Sequence, residues 1–182
     1  MEIVLVRHGK PVNSINSRVD SAGFAKWVRR YNHSVVSDFS RPQPGVMQAF
    51  AHHYRVASDL PRAVHSCVIA TGQAPQSVSK LYREMEIPRY KLPFSMRAWS
   101  WVYLNRLLWV AGKPGPFESY QEARERAREA TESLVSLAET HEQVVLFAHG
   151  FFNLHLRRYL QQAGWQLQEK SGKFWGVTRL CR

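Results

Sequence analysis

At 182 residues, 45% of them hydrophobic, the chain is large enough to bury a core as one domain, and its 6 Trp, 7 Tyr and 9 Phe argue against disorder. No run approaches the ~18 apolar residues that cross a bilayer, and Glu2, Arg7 and His8 interrupt any secretory leader, so the expectation is a cytoplasmic protein with no membrane partner. The formal charge of +11 suits an anionic substrate, a nucleic acid or an acidic protein. No arginine run joins a nucleic-acid motif, however, and Cys67 and Cys181 imply neither a disulfide scaffold nor a zinc site.

Ile3–Val6 reads as a buried strand that ends abruptly in Arg7-His8-Gly9. A polar loop, Lys10–Val19, follows it. Asp20 or Ser21 caps a helix over Ser21–Asn32, with Phe24, Trp27, Val28 and Tyr31 as its apolar stripe. Ser37–Gly45 is a loop and Val46–His53 a short helix, apolar at Val46, Met47 and Phe50. Tyr54–Asp59 is the second strand. Pro61, in the first turn of the next helix, gives up an N–H that would go unpaired anyway, and that helix runs to about Thr71.

After a loop over Gly72–Ser77, Val78–Tyr82 reads as a third strand, followed by the acidic stretch Arg83-Glu84-Met85-Glu86. Pro88–Pro93 is irregular. Arg97–Val110, rich in Trp and Leu, is a helix packed as core or lid beside a site, with a homodimer interface as the alternative. Gly112–Pro116 is a turn. Glu118–Glu139 is a long amphipathic helix with Ala123, Ala127, Ala130, Leu134 and Leu137 inward and Glu122, Arg124, Arg126 and Arg128 on its wet side. Gln143–Ala148 is the strongest strand of the second half and ends in His149-Gly150. Phe151–Gln162 is helical, Trp165–Gln168 an edge strand, and Phe174–Leu180 the last strand. This alternation predicts an α/β fold, a doubly wound and mostly parallel sheet with helices on both faces. Residues 1–182 then form one domain, with a short covering insertion around 85–117.

Two strands thus end in imidazole-glycine pairs, and open α/β sheets bind ligands outside the carboxyl ends of their strands. Arg62, at the start of the helix after the second strand, falls in the same crevice. Two histidines and two arginines around one point form a trap for a tetrahedral dianion. His8 is placed to attack phosphorus, and the arginines neutralise its oxygens. A metal is not expected, because the two histidines lack a third ligand and the arginines repel a cation.

In these residues the chain resembles the histidine phosphatase superfamily, the phosphoglycerate-mutase-like fold. Leu5-Val6-Arg7-His8-Gly9 matches its signature, Ser58-Asp59-Leu60-Pro61-Arg62-Ala63 its second motif, and His149-Gly150 after an apolar strand its third. The resemblance implies that His8 accepts the phosphoryl group, that Arg7 and Arg62 grip the phosphate, and that His149 is the second pocket histidine. Lys10 and Asn16, in the loop after Gly9, join Arg7, Arg62 and His149 as candidate substrate-binding residues. The family's proton donor falls on Glu84, although period-two geometry lets Glu86 share its face. A carboxylate beside two arginines is held charged, whereas a general acid needs a proton; burial and a bound dianion oppose that effect.

Pro11 and Ser14 stand where many relatives carry threonine and asparagine, and the long insertions of mutases are missing. The expectation is therefore a phosphomonoester hydrolase working through phosphohistidine on a small phosphorylated metabolite, without a cofactor. Two alternatives stay open: a phosphoprotein (phosphohistidine) phosphatase or non-catalytic docking module for a phosphorylated partner, and a phosphoglycerate-type mutase.

Overall fold

Six strands make the central sheet of the computed structural model, which describes residues 1–45 and 48–182. β1 (Glu2–Arg7) lies at its middle and pairs in parallel with β6 (Gln143–Ala148), a strand whose apolar run needs both faces covered. β3 (Tyr54–Ser58) and β4 (Ser77–Ser79) continue the parallel ladder on that side. On the other side β8 (Val177–Cys181) and β7 (Gln166–Lys170) are antiparallel, giving the order β4-β3-β6-β1-β8-β7. This is the mostly parallel, doubly wound sheet that the alternating elements predict, with an antiparallel margin.

Strand alternation divides the core. Ile3, Leu5, Val56, Val144 and Leu146 face α4 (Tyr120–His141) and α5 (Gly150–Gln162). Val4, Val6, Ala57, Val145 and Phe147 pack with Phe50 and with Cys67 and Ala70 of α2 (Pro61–Thr71). Fully burying one such side chain contributes about 1.5–3 kcal/mol. Capping fixes the helix starts and ends. Ser119 and Glu122 close a capping box on α4, and Gly72 takes the left-handed conformation that ends α2.

A third cluster lies over the carboxyl edge of the parallel strands. α1 (Ser21–Asn32), capped by the Asp20 carboxylate, brings Phe24, Trp27, Val28 and Tyr31 against Ile87 and against Ala98, Trp101 and Val102. The last three belong to α3 (Ala98–Val110). A small two-stranded sheet of β2 (Arg18–Val19) and β5 (Met96–Arg97), which the polar-loop reading of Lys10–Val19 does not anticipate, ties these helices together.

Several boundaries differ from expectation. The third strand is short, because the Ser79 hydroxyl accepts from the Leu81 N–H and turns the chain into a 3-10 turn over Lys80–Tyr82. Only Gln48–Phe50 of the expected helix over Val46–His53 is helical, as a 3-10 turn; Val46 and Met47 lie outside the described residues. The last strand begins at Val177, after a turn in which Trp175 holds a positive φ of 60°. Arg126, expected on the wet face of α4, is instead half-buried against the backbone of Leu81 and Arg83. Among the described residues no helix is long and apolar enough to cross a membrane.

Candidate active site

β1 delivers His8 and β6 delivers His149 in adjacent, parallel register, so the two rings meet beyond the strand ends with centroids 5.1 Å apart. Both imidazoles are buried. The His8 Nδ1 lies 2.7 Å from the Gly9 carbonyl, which can only accept, so Nδ1 carries the proton and Nε2 the lone pair. Arg62 Nε donates to that Nε2 at 3.2 Å. Burial first, and the Arg62 guanidinium next, hold His8 well below the ordinary imidazole range, so the ring is neutral.

His149 is neutral for the same first two reasons, burial and Arg62. Its Nε2 is 2.9 Å from the Ser58 hydroxyl, which already accepts the Leu60 N–H. The hydroxyl proton is therefore free to serve Nε2, which leaves Nδ1–H as a donor with no protein partner.

The arginines show the same pattern. Arg62, in the first turn of α2, spends Nη1 on the Tyr31 and Asn32 carbonyls, and its Nη2 is buried without a partner. Arg7 gives Nη1 to the Gly172 carbonyl and rests 4.2 Å from the Phe174 ring centroid, and its buried Nε is unpaired. Gly150 makes room for it, since a Cβ there would lie 3.0 Å from Arg7 Nε. Unpaired buried donors are costly, and Arg7, Arg62 and His149 each leave one in the immediate surroundings of His8.

Glu84 sits across the site. Its Oε1 accepts from the N–H groups of Met85 and Phe152, both at 3.0 Å, and its Oε2 accepts from Phe151 N–H at 3.3 Å. The carboxylate thus rests on the N-terminus of α5, where the helix dipole favours negative charge. Arg126 holds the segment from behind, with Nη1 on the carbonyls of Leu81 (3.1 Å) and Arg83 (2.9 Å) and a two-pronged bond to Glu118. Glu86 points elsewhere, binding Arg89 Nη2 and the Glu118 N–H.

A cavity of about 370 Å³ opens from this point. It reaches Arg7, His8 and Glu84 and is walled by Tyr31, Ile87, Phe151 and one face of α3. Sequence reasoning missed Arg106, which lines it. Its side chain is 13% exposed, Nη2 donates to the Met85 carbonyl, and Nη1 is buried without a partner. Its sequence signal is a lone cation in the apolar helix AWSWVYLNRLLWV. The structure brings Arg7, His8, Arg62, His149 and Glu84 together; it does not bring Lys10 and Asn16. The Lys10 side chain borders a separate hollow of about 520 Å³ with Phe39 and Arg41, and the Asn16 side chain accepts the Trp99 N–H near the start of α3. The chain turns away after Gly9, where Pro11 bridges to Val36. Among the described residues no group of three or more His, Cys, Asp and Glu side chains is placed to hold a metal ion.

Comparison with known proteins gives a consistent result. The model of the histidine phosphatase superfamily (branch 1) matches residues 45–173. No curated protein matches the chain. Among solved structures, a phosphoserine phosphatase from Entamoeba histolytica shares 16% identity over 98% of this chain and 89% of its own, with a TM-score of 0.53. A mycobacterial glucosyl-3-phosphoglycerate phosphatase shares 21% over 88% and 79%, also at a TM-score of 0.53. An Escherichia coli protein described as a putative alpha-ribazole-5'-P phosphatase shares 18% over 87% and 78%, at 0.55. At these identities the likeness is one of fold.

Proposed function

The chain belongs to the histidine phosphatase superfamily, and on that premise we propose that it hydrolyses small phosphomonoesters through a phosphohistidine on His8. The observation that carries this reading is the pinned tautomer of His8, whose Nδ1 is tied to the Gly9 carbonyl and whose Nε2 keeps a lone pair that accepts only from Arg62 Nε, a bond that an entering phosphate can take over. The dianion also takes up the unpaired donors of Arg7, Arg62 and His149. Nε2 attacks phosphorus, the P–O ester bond breaks, and Glu84, in its protonated form, gives its proton to the departing alkoxide. Glu84, now a carboxylate, then takes a proton from water as its oxygen attacks phosphorus. The N–P bond breaks, and phosphate and neutral His8 are released. The guanidiniums stabilise the equatorial oxygens in both steps.

In this reading residues 1–182 act as one domain, the segment around 85–117 covers its site, and no metal takes part. The phosphatase descriptions of the structural neighbours from Entamoeba histolytica and mycobacteria support the same reaction class. Rapid-quench labelling with a ³²P-phosphomonoester in excess chelator tests it. Acid-labile label is expected on His8 and should be absent from His8→Ala. Label retained in that variant, or found only on His149, overturns the assignment.

A further inference from the structure

Resting on the phosphatase reading above, we propose that the natural substrates are phosphomonoesters whose alcohol carries an aromatic or similarly flat apolar group, and not polyhydroxylated phosphates. The cavity leading from His8 is the space the alcohol must fill, because its inner end is lined by Arg7 and His8, with Arg62 and His149 packed against His8. At about 370 Å³ it holds more than a phosphate and lies at the small end of the ~300–1,000 Å³ range of ligand clefts.

The wall decides the chemistry. Beyond Arg7, His8, Glu84, Gly150 and Gly172 it consists of Tyr31, Ile87, Trp99, Val102, Tyr103 and Phe151, with Arg106 as the lone further cation. Trp99 stands edge-on to Tyr31, with ring centroids 5.8 Å apart, so two aromatic surfaces meet at right angles. The Arg106 guanidinium lies 4.3 Å from the Phe151 ring centroid, which holds its plane against the wall. A sugar or polyol placed here would leave hydroxyl groups desolvated and mostly unpaired, at a cost for each one. An aromatic ring instead gains area and edge-to-face contacts. The unpaired Arg106 Nη1 offers one directed donor. This suits a ring bearing a single acceptor.

Binding of non-hydrolysable phosphonates tests the inference without requiring turnover. Isothermal titration with 3-phenylpropylphosphonate and 3-hydroxypropylphosphonate compares the same anion and chain length with and without the ring. Burying one phenyl ring is worth roughly 10- to 100-fold in affinity, so the phenyl compound should bind at least 10-fold more tightly. Tyr103→Ala, at a side chain 73% exposed and therefore harmless to the fold, should cut that ratio about 3-fold. Trp99→Ala should cut it further. Equal affinities, preference for the hydroxyl compound, or no binding of either overturns the inference. Absence of label on His8, with the aromatic preference intact, overturns only the catalytic reading.

Discussion

Replacing Glu84 with Gln tests the proton donor most sharply, because the structure limits what else the change can do. Gln is the same size, and its Oε1 can still accept from Met85 and Phe152 at the native 3.0 Å positions. Its amide replaces Oε2 and turns a donor toward Phe151 N–H, so the longer 3.3 Å bond is lost while the two 3.0 Å bonds hold the side chain. The side chain therefore keeps its place, while a group able to hand over a proton becomes one that cannot. General acid catalysis is typically worth ~10²–10⁴-fold, and the whole of it is felt only when the leaving alkoxide is too basic to depart alone. On an alkyl phosphate, kcat/KM of Glu84→Gln is expected to fall by about that factor, whereas on a nitrophenyl phosphate the fall should be several-fold at most.

Glu86→Gln serves as the control. Glu86 is committed to Arg89 and to the Glu118 N–H, and it does not line the cavity at His8. Its loss should be mild on both esters. Steady-state kinetics of both variants on both substrates decides the matter. A selective loss on the alkyl ester in Glu86→Gln, with Glu84→Gln near wild type, would refute the assignment. Equal losses on both esters in Glu84→Gln would refute proton donation and leave Glu84 a part of the pocket wall.

Two further outcomes follow from the same geometry. His8 and His149 have folded-state pKa values pushed below their unfolded value near 6.5, chiefly by burial, so below about pH 6.5 the unfolded chain takes up protons that the folded one refuses. Their contribution to stability is complete above that pH and is lost as pH falls, by about 1.4 kcal/mol per pH unit for each fully titrating imidazole. Denaturant unfolding between pH 6.5 and 5 should show a shallower acid loss in His149→Gln than in wild type, and identical slopes would contradict the burial argument. Gly150→Ala should leave Tm unchanged or raise it, since alanine favours the first turn of α5, yet it should lower kcat/KM about 10-fold, because the new Cβ sits 3.0 Å from Arg7 Nε. Unchanged activity would show that Arg7 can move aside without cost.

What the sequence made legible was what the sheet itself positions. His8 and His149 follow strands that pair side by side, and Arg62 opens the helix after a third, so strand order alone predicts their meeting. Chain neighbours without that support went astray. Lys10 follows His8 by two residues, but the bridge from Pro11 to Val36 carries it away from the cavity, and Asn16 serves the start of α3. Arg106 was hidden by its surroundings, because an apolar helical stripe says which face is buried and not which cavity it borders. Arg126 failed in a similar way. Helical periodicity marks the face opposite the core, and nothing in it reveals that residues 81–84, some 40 positions earlier, lie across that face.

That last contact explains how Glu84 is held although the strand before it is short. β4 stops at Ser79, well before Glu84, so no ladder of hydrogen bonds fixes the backbone around the carboxylate. Arg126 supplies the missing bonds from the opposite side, and Glu118 holds its guanidinium in place at 2.6 and 2.8 Å. The N-terminus of α5 then takes the carboxylate itself. The same helix begins after its cap at His149, so one element sets the positions of both His149 and Glu84 relative to His8. The His8 end of the site is therefore fixed by sheet and helix starts that converge on it, whereas along the cavity α3 by itself contributes Trp99, Val102, Tyr103 and Arg106. On the proposed reading, changes in that one helix alter which alcohol is accepted without disturbing Arg7, His8, Arg62 and His149.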